Sequence, residues 1–332
     1  MSALLPCPPL DTSAAGLLSE EDVLPDLWVW HRQGLRTALV TLVGIDGAAP
    51  RPLGAQMAVA EDGRHVGYLS GGCLEQAIVL EAQDVIRAAQ NRLVRYGRGS
   101  RYIDIKLPCG SGLDLHFDIT LCSEQMSTMA LYRAARKGFA LRSSLSGGSS
   151  QVTLLAKDAP RLCAREGDVF SRVFLPRMRL LLLGSGPALT ALARLAQAVG
   201  LETEVWSPDA ATRLAIRSAG LEAGGEPRLN EDAIDRLDSS SAVVLVFHEH
   251  DVEPDILARL LRRDCFYIGV LGNRAVHTQR LHALSALGVD AEDLARLRAP
   301  VGSIQGAKTK TTLAVGILAE LMAEAKARHL VA

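Results

Sequence analysis

Two short segments gather the residue types best suited to metal or sulfur chemistry. Ser70-Gly71-Gly72-Cys73-Leu74-Glu75 sets a cysteine behind two glycines, directly ahead of a strongly helical stretch, Leu74–Asn91. The unpaired N–H groups at a helix start favour a thiolate there. Such a thiolate can coordinate a soft metal or carry sulfur as a persulfide. Cys109 has a matching setting, Pro108-Cys109-Gly110-Ser111-Gly112. The competing possibility is that each cysteine is a small apolar side chain in a core, and residue types alone leave both open. Cys7, Cys122, Cys163 and Cys265 have ordinary surroundings and read as structural or incidental.

A third segment, Gly184-Ser185-Gly186, follows the apolar run Arg179–Leu183 and precedes the helical run Ala188–Val199. Strand, G-x-G, helix is the start of a dinucleotide fingerprint, in which glycines let the backbone approach a pyrophosphate. The third glycine position is Leu189, and Asp209 is the acid available to a ribose hydroxyl. A tight βα turn with no ligand is the alternative. His248-Glu249-His250-Asp251 follows the apolar run Ala242–Phe247, where a metal, an anion or plain solvent could meet it. The late loop GSIQGAKTKTT is spaced G-x-x-x-G-x-K-T, which is not a P-loop. It reads as a glycine-containing loop capping the last helix, with Thr309 as the N-cap.

These segments require particular elements to hold them. Up to about residue 125 the pattern is mixed: the end of a helix at Leu27–Gly34, a strand at Arg36–Val43, and a hairpin around Asp62-Gly63. Further strands, Arg92–Tyr96 and Leu113–Leu121, flank the Cys109 loop, and 124–138 is helical. Two weak strands follow around SLSGGSSQ. From Met178 strands and helices alternate regularly, which means a parallel sheet covered on both faces. The expected organisation is a flexible start at 1–25, a cysteine-loop domain at 26–125, an appendage or linker at 126–175, and a Rossmann-like domain at 176–332.

Thirty-six Lys and Arg against 37 Asp and Glu give a formal net charge of −1. No basic field is present for nucleic acid or an anionic membrane, and aromatics are only 4 %. Apolar runs are strand-length, and the N-terminus lacks the pattern of a secretory signal. Six scattered cysteines without a CxxC pair fit reduced thiols in the cytoplasm.

Taken together, these segments resemble the XdhC/CoxI family, accessory factors of xanthine dehydrogenase and related molybdenum hydroxylases. In the first half the resemblance rests on Ala49-Pro50-Arg51-Pro52-Leu53-Gly54-Ala55, SGGCLEQ at 70–76 and the Cys109 loop. In the second it rests on Leu180–Gly186, the HEHD at 248–251, YIGVLGNR at 267–274 and the ending from Pro300. It implies an α/β protein: an N-terminal α+β XdhC-type domain, then a C-terminal Rossmann-like, doubly wound parallel sheet. It also implies a chaperone without turnover for the molybdenum cofactor, as molybdopterin or molybdopterin cytosine dinucleotide. Such a chaperone protects the pterin, supports its sulfuration by a cysteine desulfurase, and inserts it into an apo-hydroxylase of xanthine dehydrogenase or aldehyde oxidoreductase type.

Carried onto this chain, the cofactor contacts are Ser70, Gly71, Gly72, Cys73 and Glu75, then Cys109, Gly110 and Gly112. The second domain adds Gly184, Gly186, Asp209, His248 and His250. Cys73 and Cys109 would face molybdenum, and the glycine loop would suit a pterin phosphate. A homodimer through the long Ala-rich helix from Thr311 is also expected. The chain departs from the family pattern at Pro187, where a histidine is frequent, and at Gly302-Ser303-Ile304-Gln305-Gly306, which loses the acid of the family's Gly-Leu-Asp-Ile-Gly. Pro108-Cys109-Gly110-Ser111-Gly112 resembles the aldehyde-oxidoreductase branch, which handles the dinucleotide form. On the residues alone, an NAD(P)-dependent oxidoreductase and a ligand-free scaffold are the alternatives.

Overall fold

A computed structural model of the chain describes residues 22–100, 110–155, 162–225, 231–247 and 253–331. The chain divides between Pro176 and Arg177 into two compact units.

The first unit runs α1 (Leu24–Arg32), β1 (Thr37–Asp46), β2 (Gln56–Ala60), β3 (His65–Gly67), α2 (Glu75–Ala88), β4 (Arg92–Gly97) and β5 (Gly112–Asp118). It continues with α3 (Ser123–Ala134), β6 (Phe139–Ser144), β7 (Gln151–Leu154), β8 (Cys163–Glu166) and β9 (Val169–Phe174). An antiparallel sheet in the order β3-β2-β1-β5-β4 forms its centre. Val40, Leu42, Met57, Leu115 and Phe117 pack from it against Ile78, Val79, Ala82 and Val85 of α2. That apolar spacing on α2 is one helical face, so a single amphipathic helix seals one side of the sheet. Ala89, in the left-handed region at φ 52°, ends the helix.

The opposite face buries Leu39 and Ala58 with Leu27 and Trp30 of α1, Met126 of α3, and Phe139 and Leu141 of β6. The segment 126–175, expected as an appendage with two weak strands, carries a four-stranded sheet, β7-β6-β9-β8, and shares this core. Its β7 and β8 are short and polar, so they lack the alternation that marks a strand. The expected mobile start lies outside the described residues as far as residue 21. From Asp22 the chain is held: Val23 is buried, and Arg133 clamps the Asp22 carboxylate through two bonds of 2.6 and 2.7 Å.

The second unit runs β10 (Arg179–Gly184), α4 (Pro187–Ala198), β11 (Glu202–Trp206), α5 (Ala210–Arg217), β12 (Ala223–Gly224), α6 (Glu231–Asp235) and β13 (Ser241–Val246). There follow α7 (Glu253–Leu260), β14 (Tyr267–Val270), α8 (Arg274–Ala286), α9 (Ala291–Leu294), β15 (Leu297–Arg298) and α10 (Lys310–Ala327). Its sheet is wholly parallel, in the order β12-β11-β10-β13-β14-β15. Numbered within the unit that is 3-2-1-4-5-6, the doubly wound Rossmann order. Alternate residues of one strand feed two cores. Leu180 and Leu182 join α4 and α10, while Leu181 and Leu183 join α7 and α8. Burial on both faces is why β10 and β13 read as unbroken apolar runs. Among the described residues no helix is long and apolar enough to cross a membrane.

Candidate functional site

The antiparallel register of the first sheet brings its chemistry-bearing loops to one end. Asp46 at the end of β1 pairs with Gly112 at the start of β5, and Gly97 at the end of β4 pairs with the same Gly112. Gln56, which opens β2, sits beside Thr41, and Gly67, which closes β3, pairs with Met57. The loop 47–55, the loop 68–74 and both described ends of the loop between Gly97 and Gly112 therefore leave the sheet on the same side. Cys109 lies outside the described residues; Gly110, next to it, is exposed with φ 65°.

The cysteine loop is built around Glu75. One of its carboxylate oxygens accepts the Leu69 and Ser70 amides at 3.0 and 2.9 Å. The other accepts the Ser70 hydroxyl at 2.7 Å, the Gly72 amide at 2.8 Å and the Leu74 amide at 3.2 Å. The Ser70 oxygen accepts the Leu74 amide in turn, at 2.8 Å. Partial burial raises the Glu75 carboxyl, but the Ser70 hydroxyl and the loop amides outweigh it and hold it at about 2. Gly71 at φ 75° and Gly72 at φ 108° supply the left-handed backbone this closure needs. Cys73 sits at the apex, exposed, just ahead of Leu74, the N-cap of α2. On the sequence, Glu75 and the Gly72 amide are expected as cofactor contacts. In the structure they are joined to each other, and the thiol is what the loop leaves outward.

The loop 47–55 is braced from several directions. The Arg51 guanidinium stacks 4.5 Å from the Tyr68 ring centroid and donates to the Tyr68 hydroxyl at 3.2 Å. Pro50 is the nearest neighbour of the open face of Gly71, 3.9 Å from where a Cβ would stand. At Gly54, φ 84°, a Cβ would fall 2.1 Å from the Cys163 sulfur. Cys163 donates to the Leu53 carbonyl at 3.4 Å, and Arg172 donates to the Gly54 carbonyl. Burial pulls the Arg172 guanidinium down to about 10, and its face lies 4.7 Å from the Phe174 ring centroid. Burial also pushes the Cys163 thiol up, against the pull of Arg172. Cys163 thus supports the loop as a neutral thiol, and no local sequence signal marks that role.

Gly112, expected among cofactor contacts, is buried in the first pair of β5 and lies under the Arg95 guanidinium. Cys122 is the N-cap of α3, its amide donating to the Gln125 side chain at 2.9 Å, and Cys265 is buried, its thiol pushed up to about 12 by desolvation. Cys7 lies outside the described residues.

In the second unit the glycine turn follows β10 as expected, but its donors are already engaged. Gly184, φ 141°, lets the backbone press against β13, where a Cβ would lie 2.1 Å from the Val246 carbonyl. The Gly186 amide donates to the Thr212 hydroxyl at 2.8 Å. Thr212 in turn donates its amide and its hydroxyl to Asp209, the N-cap of α5. These bonds hold the Asp209 carboxyl below its ordinary value. Pro187 follows at the first position of α4 and has no N–H to offer.

His248 and His250 lie outside the described residues, beyond Phe247 at the carboxyl edge of β13. Among the described residues no cluster of three or more His, Cys, Asp or Glu could hold a metal. Thr309 caps α10 by accepting the Thr312 amide at 3.1 Å, as the late loop suggested.

One ion pair in this unit had no sequence signal. Arg280 of α8 and Glu253 of α7 are joined at 2.8 Å with side chains only 2 % and 1 % exposed. The guanidinium also donates to the Leu271 carbonyl at 2.8 Å, under the glycine turn of the YIGVLGNR segment.

Residues 180–321 match the XdhC Rossmann domain, and residues 30–97 match the XdhC and CoxI family. The molybdenum cofactor insertion chaperone PaoD of Escherichia coli is 33 % identical over 288 residues, 87 % of this chain and 83 % of that one. A Bacillus subtilis protein named as a probable xanthine dehydrogenase subunit is 27 % identical, over 86 % of this chain and 92 % of its own. A Bacillus halodurans protein solved as a xanthine dehydrogenase shares the fold, with a TM-score of 0.72 at 21 % identity over 92 % of this chain and 96 % of its own. Cysteine loop, doubly wound sheet and these matches agree: the chain belongs to the XdhC and CoxI family.

Proposed function

We propose that this protein is a molybdenum cofactor chaperone that holds the pterin as cargo, supports its sulfuration, and inserts it into an apo molybdenum hydroxylase. The observation that carries this is the exposed Cys73 thiol, held at the apex of a carboxylate-locked loop at the sheet end where the other loops also emerge. A soft metal end calls for a sulfur donor, and Cys73 is the thiol this loop offers to solvent. The 33 % identity to PaoD, named for cofactor insertion, supports the same role.

Within that role Glu75 and Ser70 fix the backbone on both sides of Cys73, so the thiol meets its cargo without first having to be ordered. Arg51 and Tyr68 brace the neighbouring loop. Cys109 is assigned as the second molybdenum-facing thiol on the family resemblance. The cytosine dinucleotide form is favoured by the Gly110-Ser111-Gly112 variant of the second loop. A cysteine desulfurase supplies the sulfur, and the protein works in the cytoplasm as a homodimer.

The glycine turn of the second unit adds little to a phosphate site, because the Gly186 amide is bound to Thr212 and Pro187 has none. That arrangement also argues against the oxidoreductase alternative. The test is mass spectrometry of the pterin that co-purifies with the full chain from cells with an intact cofactor pathway. Recovery of a molybdenum-bearing pterin in near-stoichiometric amount supports the role; a protein free of pterin, with no gain in partner hydroxylase activity on mixing, refutes it.

A further inference from the structure

We propose that Arg95 is a positioning residue for the cargo-holding end, tying the root of the loop 47–55 to both roots of the loop between Gly97 and Gly112. This rests on the pterin-holding role proposed above. Arg95 lies on β4, at the edge of the sheet, and uses all three of its nitrogens. Nε donates to the Arg98 carbonyl at 2.8 Å, just past the end of β4. Nη1 reaches both oxygens of Asp114 on β5 at 3.3 Å, and Nη2 donates to Asp46, the last residue of β1, at 3.0 Å. Arg98 closes the ring by lying 3.5 Å from the other Asp46 oxygen.

The backbone is shaped to admit this ring. A Cβ at Gly112 would stand 2.7 Å from Arg95 Nη2 and 2.8 Å from the Arg98 carbonyl. A Cβ at Gly44 would stand 2.5 Å from the Asp114 carboxylate. Two glycines on two different strands therefore make room for one guanidinium and its acid.

A simpler role is a charge that blunts an edge strand against pairing. Arg92 already does that on the same strand, paired with Glu81 at 2.5 Å and contacting none of the three roots. The two arginines and two carboxylates of the Arg95 ring balance in charge, so the ring is not a receptor for an anionic cargo. At 36 % side-chain exposure each of its pairs is individually modest. What the fork supplies is geometry, since a planar guanidinium addresses three groups at fixed angles where an ammonium cannot.

The test uses the full chain produced with the cofactor pathway intact, comparing wild type with Arg95→Gln, Arg95→Lys and Arg92→Gln. Pterin per mole of protein is measured by mass spectrometry, and the thermal midpoint of each variant is recorded. All three variants are expected to lose a few degrees. Arg95→Gln and Arg95→Lys are expected to hold about tenfold less pterin, as for a site displaced by a fraction of an ångström, and Arg92→Gln as much as wild type. Wild-type pterin in Arg95→Gln, restoration by lysine, or an equal loss in Arg92→Gln would each overturn the inference. A wild-type protein without pterin refutes the cofactor-holding role itself, and the inference with it.

Discussion

Glu75 accepts the Gly72 amide at 2.8 Å, so the residue three places beyond the glycine closes the loop that presents Cys73. A carboxylate in that position gathers the amides of the loop before the helix, those of Leu69, Ser70, Gly72 and Leu74. Glu75→Gln keeps the shape and loses the charge. It should cost about 1–2 kcal/mol, below what the size of the pKa change suggests, because the side chain is only half-buried. The sign of the pH dependence is set by the depressed folded-state value: about 2 against an ordinary 4.5. The stabilisation is therefore complete above pH 4.5 and is lost as the pH falls from there toward 2. Urea midpoints across this range should fall less steeply for Glu75→Gln than for the wild type, which also titrates Glu75.

Cys73 is exposed at the apex of its loop, so its side chain buries little that stability depends on. Cys73→Ala should change the unfolding free energy by less than about 0.5 kcal/mol. Its effect should fall on the partner: a hydroxylase matured with this variant should contain pterin yet lack turnover. Wild-type hydroxylase activity after maturation with Cys73→Ala would remove the cysteine from the mechanism.

Gly54→Ala meets two obstacles, a backbone at φ 84° and the Cys163 sulfur 2.1 Å from the new Cβ. The cost should be about 2–4 kcal/mol, combining backbone strain with a collision in a packed loop. Adding Cys163→Ala removes the collision and leaves the strain, so the double variant should be more stable than the sum of the singles implies. Additive thermal denaturation data would mean that the loop moves away from Cys163 instead.

Thr212→Val leaves the Gly186 amide without its acceptor and removes the hydroxyl that donates to Asp209. Thr212 is 4 % exposed, and the loss should be about 1–2 kcal/mol. Because both ends of the glycine turn are already engaged, millimolar NADH should leave the wild-type thermal midpoint unmoved. A saturable shift would restore the oxidoreductase alternative.

Arg280→Met leaves Glu253 buried without its guanidinium and should cost about 3–5 kcal/mol. The paired change Arg280→Met with Glu253→Leu should recover most of this, which chemical denaturation of the three variants would measure.

Much of the frame was legible in the chain. The apolar runs of β10 and β13 announced strands covered on both faces, and the alternation after Met178 gave the parallel sheet. Gly71-Gly72-Cys73 announced a turn into a helix, and α2 begins two residues later. What escaped was pairing across space. Glu75 reads as the first helical acid of α2, and nothing local says that it gathers four amides. Asp209 reads from the sequence as the acid available to a ribose hydroxyl, and only the fold brings it to Thr212, where it is the N-cap of α5. Gly44 and Gly112 clear side chains on neighbouring strands, the Asp114 carboxylate at Gly44 and the Arg95 guanidinium at Gly112, and no local pattern announces either approach. The strands β7 and β8 were faint because half-exposed polar residues fill them.

The openness of Cys73 has a cost of its own. A thiol that faces outward to meet a metal-bearing cargo faces peroxide and electrophiles on equal terms, and sulfenic acid formation would occupy the atom that the cargo needs. Cys265, buried and held near 12, has no such exposure. Oxidation of Cys73 should therefore inactivate the protein while the fold beneath it stays intact, leaving a well-folded protein unable to deliver active cofactor.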